Sequence, residues 1–181
     1  NILLVCHNRG GGTERHLMEQ ARQLIDQGCG VFELRPSAQS GSCVVLTHAD
    51  FLGLPNLAKL ELQPRDLFDE ALRYLRITEL HIHHLVDFDP SVGPLLIEAA
   101  HRHGISIRLT VHDYHLLCPR VNLVDASNRY CGEPGEDGCD RCLTQNPPMP
   151  GVTYIRVWHR DAQQLLTAAR QVIVPSHDVA K

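Results

Sequence analysis

The sequence lacks both a long hydrophobic segment and a strong excess of charge of one sign. Its 181 residues carry 17 Lys and Arg against 21 Asp and Glu, a formal net charge of −4. No apolar run approaches the roughly 18 residues that a transmembrane helix needs. The mixed charge provides no basic patch for a nucleic acid or an anionic membrane surface. We therefore expect no transmembrane segment and no nucleic-acid partner.

An export signal is also missing from the sequence. The first apolar run, Ile2–Cys6, is too short for the hydrophobic part of a signal peptide. We therefore expect a cytoplasmic protein whose thiols stay reduced. The chain begins at Asn1, directly on a strand-like run, and stops at Lys181 just after a predicted helix start. Both ends predict a fragment of a longer protein.

Predicted strands and helices alternate along the chain, and several strands are apolar on both faces. This pattern is typical of an α/β fold with a doubly wound, mostly parallel, Rossmann-like sheet. A hydrophobic content of 43% over 181 residues suits a single domain, 1–181. Residues 113–152 are predicted to be an irregular loop rich in Pro, Gly and Cys. The predicted strands are 2–6, 31–34, 43–47, 57–62, 79–85, 105–111 and 172–174, and the predicted helices run from an N-cap at Thr13 to Gly28, then 64–76, 91–103 and 153–169, with a new helix capped by Ser176.

Ionisable residues, many of them among the 12 histidines, follow the predicted strands. Ligands of an open parallel sheet bind beyond the carboxyl ends of its strands. Each residue taken alone also fits an ordinary loop position, but such residues follow four different predicted strands. We therefore expect a cleft at this edge of the sheet. The residues concerned are His7, Asn8, Arg9, His83, His84, Asp87, His112, Asp113, Tyr114, His115, Ser176 and His177.

A glycine-rich turn, Gly10-Gly11-Gly12, separates the first strand from the first helix. Such a turn lets a ligand approach the backbone, and the free N–H groups of the helix N-terminus favour an anion such as a diphosphate. A plain strand-to-helix turn is the alternative. Arg15 stands where a dinucleotide fingerprint needs a third glycine, although Glu33 lies where that motif places an acid for the ribose. A nicotinamide-type nucleotide module thus stays open.

His112 and Asp113 directly follow a strong predicted strand. A neighbouring carboxylate orients an imidazole and raises its basicity, which makes the pair a candidate catalytic unit. The alternative is a structural turn in which Asp113 caps and His112 packs. His81, His83 and His84 resemble a metal cluster, but alternation along a strand puts His84 on the opposite face, so the three are not expected to share one ion.

Four cysteines, Cys118, Cys131, Cys139 and Cys142, fall within the long predicted loop. A loop with little apolar content needs another source of order, and four thiolates on one tetrahedral zinc ion would supply it. The two-residue gap between Cys139 and Cys142 is common in zinc sites. Disulfides and free thiols are the alternatives. We expect a structural zinc ion, to be tested by metal analysis and a thiol count.

Four segments together resemble the group-1, GT-B-fold glycosyltransferases that retain anomeric configuration. They are Gly10–His16 (GGGTERH), His81–His84 (HIHH), Thr110–Pro119 (TVHDYHLLCP) and Val174–Ser176 (VPS). The resemblance covers nearly the whole chain. The third segment and the cysteines after it look like a subset of the family that acts on bacterial surface polysaccharides.

This resemblance implies an N-terminal, acceptor-side domain whose partner, the donor-binding C-terminal domain, lies outside these 181 residues, so the fragment alone would be inactive. A nucleotide-sugar donor would be bound mostly by that missing domain, and a saccharide or lipid-linked saccharide acceptor by this one. The setting would be the cytoplasm, with peripheral contact to the inner membrane, and any zinc would be structural. The implied catalytic residues are His112 and Asp113, the donor-diphosphate residues Gly10, Gly11, Gly12 and Thr13, and the acceptor residues Arg9, His16, His84 and Tyr114.

Overall fold

The computed structural model is an α/β fold built on one mostly parallel sheet. It describes residues 1–37, 40–49, 58–62, 65–148, 151–177 and 179. The described strands are β1 (Ile2–Val5), β2 (Val31–Ser37), β3 (Ser40–His48), β4 (Ala58–Glu61), β5 (Glu79–Ile82), β6 (Ser106–Thr110) and β7 (Gln171–Ile173). The described helices are α1 (Gly11–Asp26), α2 (Asp66–Tyr74), α3 (Val92–His103), α4 (Gly135–Gln145) and α5 (Ile155–Ala168).

The strand order across the sheet is β4-β3-β2-β1-β5-β6-β7. Strands β2, β1, β5, β6 and β7 run parallel, whereas β3 and β4 add an antiparallel edge. Because β1, β5 and β6 are neighbours, the loops that follow their carboxyl ends meet at one edge of the sheet. The topology therefore brings together residues from three distant parts of the chain.

Both faces of the central strands are covered. Leu3 and Val5 of β1 pack with the apolar residues of α2, α3 and α5 in the larger core. Leu4 and Cys6 point the other way and pack with Leu17 of α1. Each such buried side chain contributes on the order of 1.5–3 kcal/mol. We call the first side of the sheet the α3–α5 face and the second the α1 face.

Several element boundaries differ from the sequence-based expectation. Helix α1 begins at Gly11 with Gly10 as its N-cap, so Thr13 lies inside the first turn and is not the cap. Strand β5 ends at Ile82, which leaves His83 and His84 in the loop beyond it. Leu57 and Pro64, predicted to start a strand and a helix, lie outside the described residues.

The sequence predicts an irregular loop over residues 113–152, but the structure contains a helix within this region. Helix α4 spans Gly135–Gln145 within it and has two buried residues, Gly138 and Leu143. Two glycines in so short a helix lower its intrinsic propensity, which is why the sequence favoured a loop. An isolated antiparallel bridge between Val124 and Tyr130 adds further local order.

Candidate functional site

The candidate site lies at the carboxyl ends of β1, β5 and β6. Successive residues of a strand point to opposite faces, and the imidazoles there fall into two groups accordingly. His81, His83 and His112 lie with His16 of α1, as their ring contacts show. His7, His84 and His115 form the second group, which also meets Trp158 of α5. The sheet thus divides the site into an α1 compartment and an α3–α5 compartment.

The α1 compartment is a stack of imidazoles. The ring centroids of His81 and His83 are 4.3 Å apart, and those of His83 and His112 are 5.4 Å apart. His83 Nδ1 lies 3.1 Å from His112 Nε2, so the two rings share a hydrogen bond. His16 lies 5.2 Å from His112 between ring centroids. His112, the predicted catalytic residue, therefore sits beside α1 and is oriented by His83.

His81 forms the fixed base of this stack. The amide of Gln20 can only donate to His81 Nδ1, at 2.9 Å, so the other ring nitrogen carries the proton. That Nε2–H donates to Thr110 Oγ1 at 2.8 Å. Burial lowers the pKa of His81 to about 3, and the charges of Arg108, His16 and His112 act in the same direction. His81 is a structural anchor because neither ring nitrogen remains for a ligand.

His112 is a neutral imidazole at ordinary pH. Burial lowers its pKa to about 4, with smaller contributions in the same direction from His16 and His84. A general base works best with a pKa near the operating pH, so His112 is poorly suited to remove a proton. A neutral imidazole is well suited to hydrogen-bond a hydroxyl group. The low pKa favours a hydrogen-bonding role over acid–base catalysis for this residue.

Asp113 hydrogen-bonds His84 and not its chain neighbour His112, contrary to the expected pair. Val86 N–H donates to His84 Nδ1 at 3.0 Å, so Nε2 of that ring carries the proton. This Nε2–H donates to Asp113 Oδ2 at 2.9 Å, and Asp113 Oδ1 accepts from the backbone N–H of His115 at 2.8 Å. Both ring nitrogens of His84, a predicted acceptor residue, are thereby occupied within the protein.

Asp113 stays ionised although it is half-buried. Burial acts to raise its pKa, but the hydrogen bonds from His84 and from the backbone N–H of His115 outweigh that effect. The pKa of Asp113 therefore lies below its usual range. A fixed negative charge in the α3–α5 compartment is available to accept hydrogen bonds from a ligand.

His115 is the site residue that sequence reasoning singled out least. It is 8% exposed, and its ring lies 4.6 Å from that of His84 and 4.8 Å from that of Trp158. Neither of its ring nitrogens has a hydrogen-bond partner among the described residues. Burial lowers its pKa to about 3. The sequence clues to it are its place among the polar residues that follow the predicted strand 105–111 and its spacing of two residues from Asp113.

A cavity of about 80 Å³ adjoins this compartment, between the β5–α3 loop and α5. Its walls are mainly apolar, and its polar groups come from the ends of β5 and β6. Its lining includes His84, Phe88, Asp113, His115, Leu116 and Trp158. A small group with one apolar face and one polar edge fits this chemistry.

The glycine turn opens onto empty space. Gly10 and Gly11 have φ angles of 73° and 80°, which side chains rarely adopt. A Cβ added at Gly10, Gly11 or Gly12 would meet no atom within 4 Å. The N-cap residue, Gly10, has no side chain that could accept a hydrogen bond from the first turn of α1. The N–H groups of this turn are therefore accessible to an anion.

A buried ion-pair network fixes the first turn of α1 to the sheet. Arg35 of β2 donates to both carboxylate oxygens of Glu14, at 2.6 and 2.9 Å, and to Glu33 at 2.8 Å. It also donates to the carbonyl of His7 at 2.6 Å. Glu33 is 1% exposed, so it is not free to hold a ribose. This geometry counts against the nicotinamide-type alternative.

Arg9, a predicted acceptor residue, spans the mouth of the site. Its Nε and Nη2 donate to Oδ2 and Oδ1 of Asp87 at 2.8 and 2.6 Å. This bidentate pair ties the loop after β1 to the loop after β5, and Asp87 has a φ of 70°. Tyr114, the fourth predicted acceptor residue, is 50% exposed at the rim of the site. Ser176 and His177 are exposed beyond β7.

The four cysteines of the predicted zinc site line one cavity of about 220 Å³, which is separate from the cavity beside His84 and His115. All four are free thiols. Within the described ranges, no three His, Cys, Asp or Glu side chains are grouped closely enough to hold a metal ion. The predicted ligands are thus brought together around one space, but not at coordinating separation.

In the part of the chain that the structure describes, no helix has the length and apolarity to cross a membrane. Comparison with known proteins finds no match to any protein-family model, curated protein or solved structure.

Proposed function

We propose that this chain is the acceptor-side half of a nucleotide-sugar-dependent glycosyltransferase with the GT-B architecture. The observation that carries the proposal is the approach of α1 to His112: His16, one turn beyond the glycine turn, lies 5.2 Å from the His112 ring. An accessible helix N-terminus and a neutral imidazole thus face the same compartment. The first suits a diphosphate, and the second suits the hydroxyl groups of a sugar.

In this proposal one compartment binds the donor and the other binds the acceptor. The α1 compartment, with Gly10, Gly11, Gly12 and Thr13, faces the donor diphosphate, while His112 hydrogen-bonds the transferred sugar. The α3–α5 cavity beside Asp113 receives the acceptor, a saccharide or lipid-linked saccharide. Asp113 accepts hydrogen bonds from acceptor hydroxyls, because its carboxylate stays charged. Most donor contacts come from a second domain, in a doubly wound pair of Rossmann-like halves.

The proposed setting is the cytoplasmic face of a bacterial inner membrane, during synthesis of a surface polysaccharide. Retention of configuration and this setting both rest on the sequence resemblance. Transfer does not depend on a metal ion in this proposal.

The test is an activity assay on the protein that carries this chain together with its donor domain. Purified protein is incubated with a panel of nucleotide sugars, and release of the nucleoside diphosphate is measured with and without saccharide acceptors. We expect release from at least one donor, and at least tenfold less release for His112→Ala. The matched control is His101→Ala, on an exposed position of α3. Undiminished release by His112→Ala would remove the proposed role of that residue.

A stand-alone nucleotide-binding module is the second candidate, favoured only by the glycine turn. Calorimetric titration of the 181-residue chain separates the two functions. We expect weak or no binding of NAD, NADP or mononucleotides. The Glu33 carboxylate, which would bind the ribose, is already paired with Arg35. Tight binding of NAD to this chain would favour the module instead.

A further inference from the structure

The segment between β6 and α5 is ordered by very little apolar burial. Over residues 116–148, all of which the structure describes, the buried residues are Pro119, Gly138, Leu143 and Pro148. Fixing the backbone costs about 1–2 kcal/mol per residue, and the three buried side chains, two prolines and one leucine, do not offset that cost over such a length. Another interaction is needed to hold the segment in one conformation.

The four cysteines line one cavity, and they come to it from three separate pieces of this segment. Cys118 follows β6 in a turn closed by its own N–H, which donates to Tyr114 O at 2.8 Å. Cys131 lies next to the short bridge, with its N–H on Leu123 O at 2.9 Å. Cys139 and Cys142 are three residues apart on α4, so both project from the same side of that helix.

The cavity that these thiols share offers few competing ligands. Of its two carboxylates, Glu136 is paired with Arg156 at 2.6 Å, and Glu133 accepts from the hydroxyl of Tyr130 at 2.5 Å. His159 Nε2 lies 2.9 Å from Leu117 O and therefore donates there. The four sulfur atoms are the soft donors around this space, and four soft donors select zinc over magnesium or calcium.

We propose that Cys118, Cys131, Cys139 and Cys142 bind one structural zinc ion as four thiolates. Each thiol releases its proton to solvent as its Zn–S bond forms, and the metal draws the sulfur atoms together from their present positions around the cavity. The ion then serves as the core of the segment. This proposal does not depend on glycosyl transfer.

The zinc ion would also stabilise the α3–α5 compartment, because α4 contacts the start of α5. Asp140, between the two α4 cysteines, accepts the backbone N–H of Ile155 at 2.7 Å and so holds the start of α5. Helix α5 carries Trp158, whose indole N–H donates to His115 O at 2.8 Å. Cys118 itself lies three residues beyond His115. The metal would therefore order two walls of the proposed acceptor cavity.

The experiment is elemental analysis of the chain, purified without chelators from zinc-supplemented culture, together with a thiol titration. We expect about one zinc ion per chain, as in a closed structural site. The four thiols should react slowly in the native protein and rapidly once a chelator is added. The melting temperature should fall on chelation, and re-addition of zinc should restore it.

Variants provide the internal control. Cys142→Ser and Cys131→Ser should each lose most of the bound zinc, while Cys29→Ser, three residues beyond the end of α1, should keep it. Metal-free wild-type protein with four reactive thiols would overturn the proposal, and so would two disulfides by mass spectrometry or a stoichiometric iron content. The wild-type measurement decides the matter even where a variant does not fold. A zinc-bound protein that carries the donor domain but shows no transferase activity would count against the proposed function alone.

Discussion

His84 Nε2 lies 2.9 Å from Asp113 Oδ2, and the backbone N–H of Val86 fixes the ring from its other nitrogen. The carboxylate after β6 is therefore aligned by an imidazole from the neighbouring strand end, not by its chain neighbour. This relationship makes Asp113 a charged hydrogen-bond acceptor of fixed orientation beside the α3–α5 cavity.

Removal of this carboxylate should destabilise the fold. In Asp113→Ala the buried Nε2–H of His84 loses its partner, and such a loss costs about 1–3 kcal/mol. We expect a decrease of that size in the free energy of unfolding, measured by urea denaturation at pH 7.5. Asp26→Ala, at an exposed position of α1, is the control and should change little. An unchanged stability for Asp113→Ala would mean that the pair with His84 is not formed in solution.

The role of His112 as a hydrogen-bonding group, rather than a base, predicts a specific pattern of variants. His112→Asn retains an N–H donor and a C=O acceptor, so it should keep more turnover than His112→Ala, which should lose about tenfold or more. Because the pKa of His112 is about 4, the rate should show no inflection from this residue between pH 5.5 and pH 8. Equal inactivity of both variants, with a pH profile inflecting near 6.5, would support a general base instead.

A substitution at Gly12 can test the role of the glycine turn without straining the backbone. The φ of this glycine is not in the left-handed region, and an added Cβ meets no atom within 4 Å. Gly12→Ala should keep the fold, with a helix-propensity gain of up to about 1 kcal/mol. A donor diphosphate lying against this turn would collide with the methyl group, so we expect a raised KM for the nucleotide sugar. An unaltered KM, with the melting temperature maintained, would place the diphosphate elsewhere.

The buried neutral histidines should make the protein acid-sensitive. The pKa of His115 is about 3 in the folded chain, against about 6.5 when unfolded. Between these values the unfolded state binds the extra proton, so stability falls as the pH drops below about 6.5 and is unaffected by this group above it. His81, His83 and His112, with pKa values of about 3, 2 and 4, act in the same direction.

The variant His115→Phe isolates the contribution of one ring. It should reduce the slope of unfolding free energy against pH by up to about 1.4 kcal/mol per unit between pH 4 and pH 6. Stability at pH 7.5 should not fall, since both ring nitrogens lack a partner among the described residues. Denaturation curves at several pH values measure both quantities, with His101→Phe as the exposed control. A slope identical to that of the wild type would mean that His115 binds its proton equally well in the folded and unfolded states.

The order of strands and helices, and the gathering of histidines at one sheet edge, could be predicted from the sequence because apolar periodicity and strand-end position are local properties. The separation of His84 from His81 and His83 followed from the alternation of side chains. The partner of Asp113 could not be predicted, because it depends on how β5 and β6 are aligned. The same alternation does imply that His112 and Asp113, consecutive at the end of β6, face opposite ways.

Other differences have similar causes. The start of α1 depends on positive φ angles at Gly10 and Gly11, which no side-chain preference reports. Helix α4 forms although Gly135 and Gly138 disfavour it, because tertiary contacts such as that of Asp140 with Ile155 act on it. The antiparallel β3 and β4 depend on pairing partners that periodicity does not reveal.

One spacing recurs across the site: His81 with Thr110, His83 with His112 and His84 with Asp113 are each 29 residues apart. Substitutions at two positions 29 residues apart should therefore affect each other's free-energy change more than substitutions at two adjacent positions. In double-mutant cycles, the non-additive effect should be larger for positions 84 and 113, which share a hydrogen bond, than for positions 112 and 113, although the latter two are adjacent along the chain. Evolution or design can therefore change what one compartment recognises while leaving the other intact.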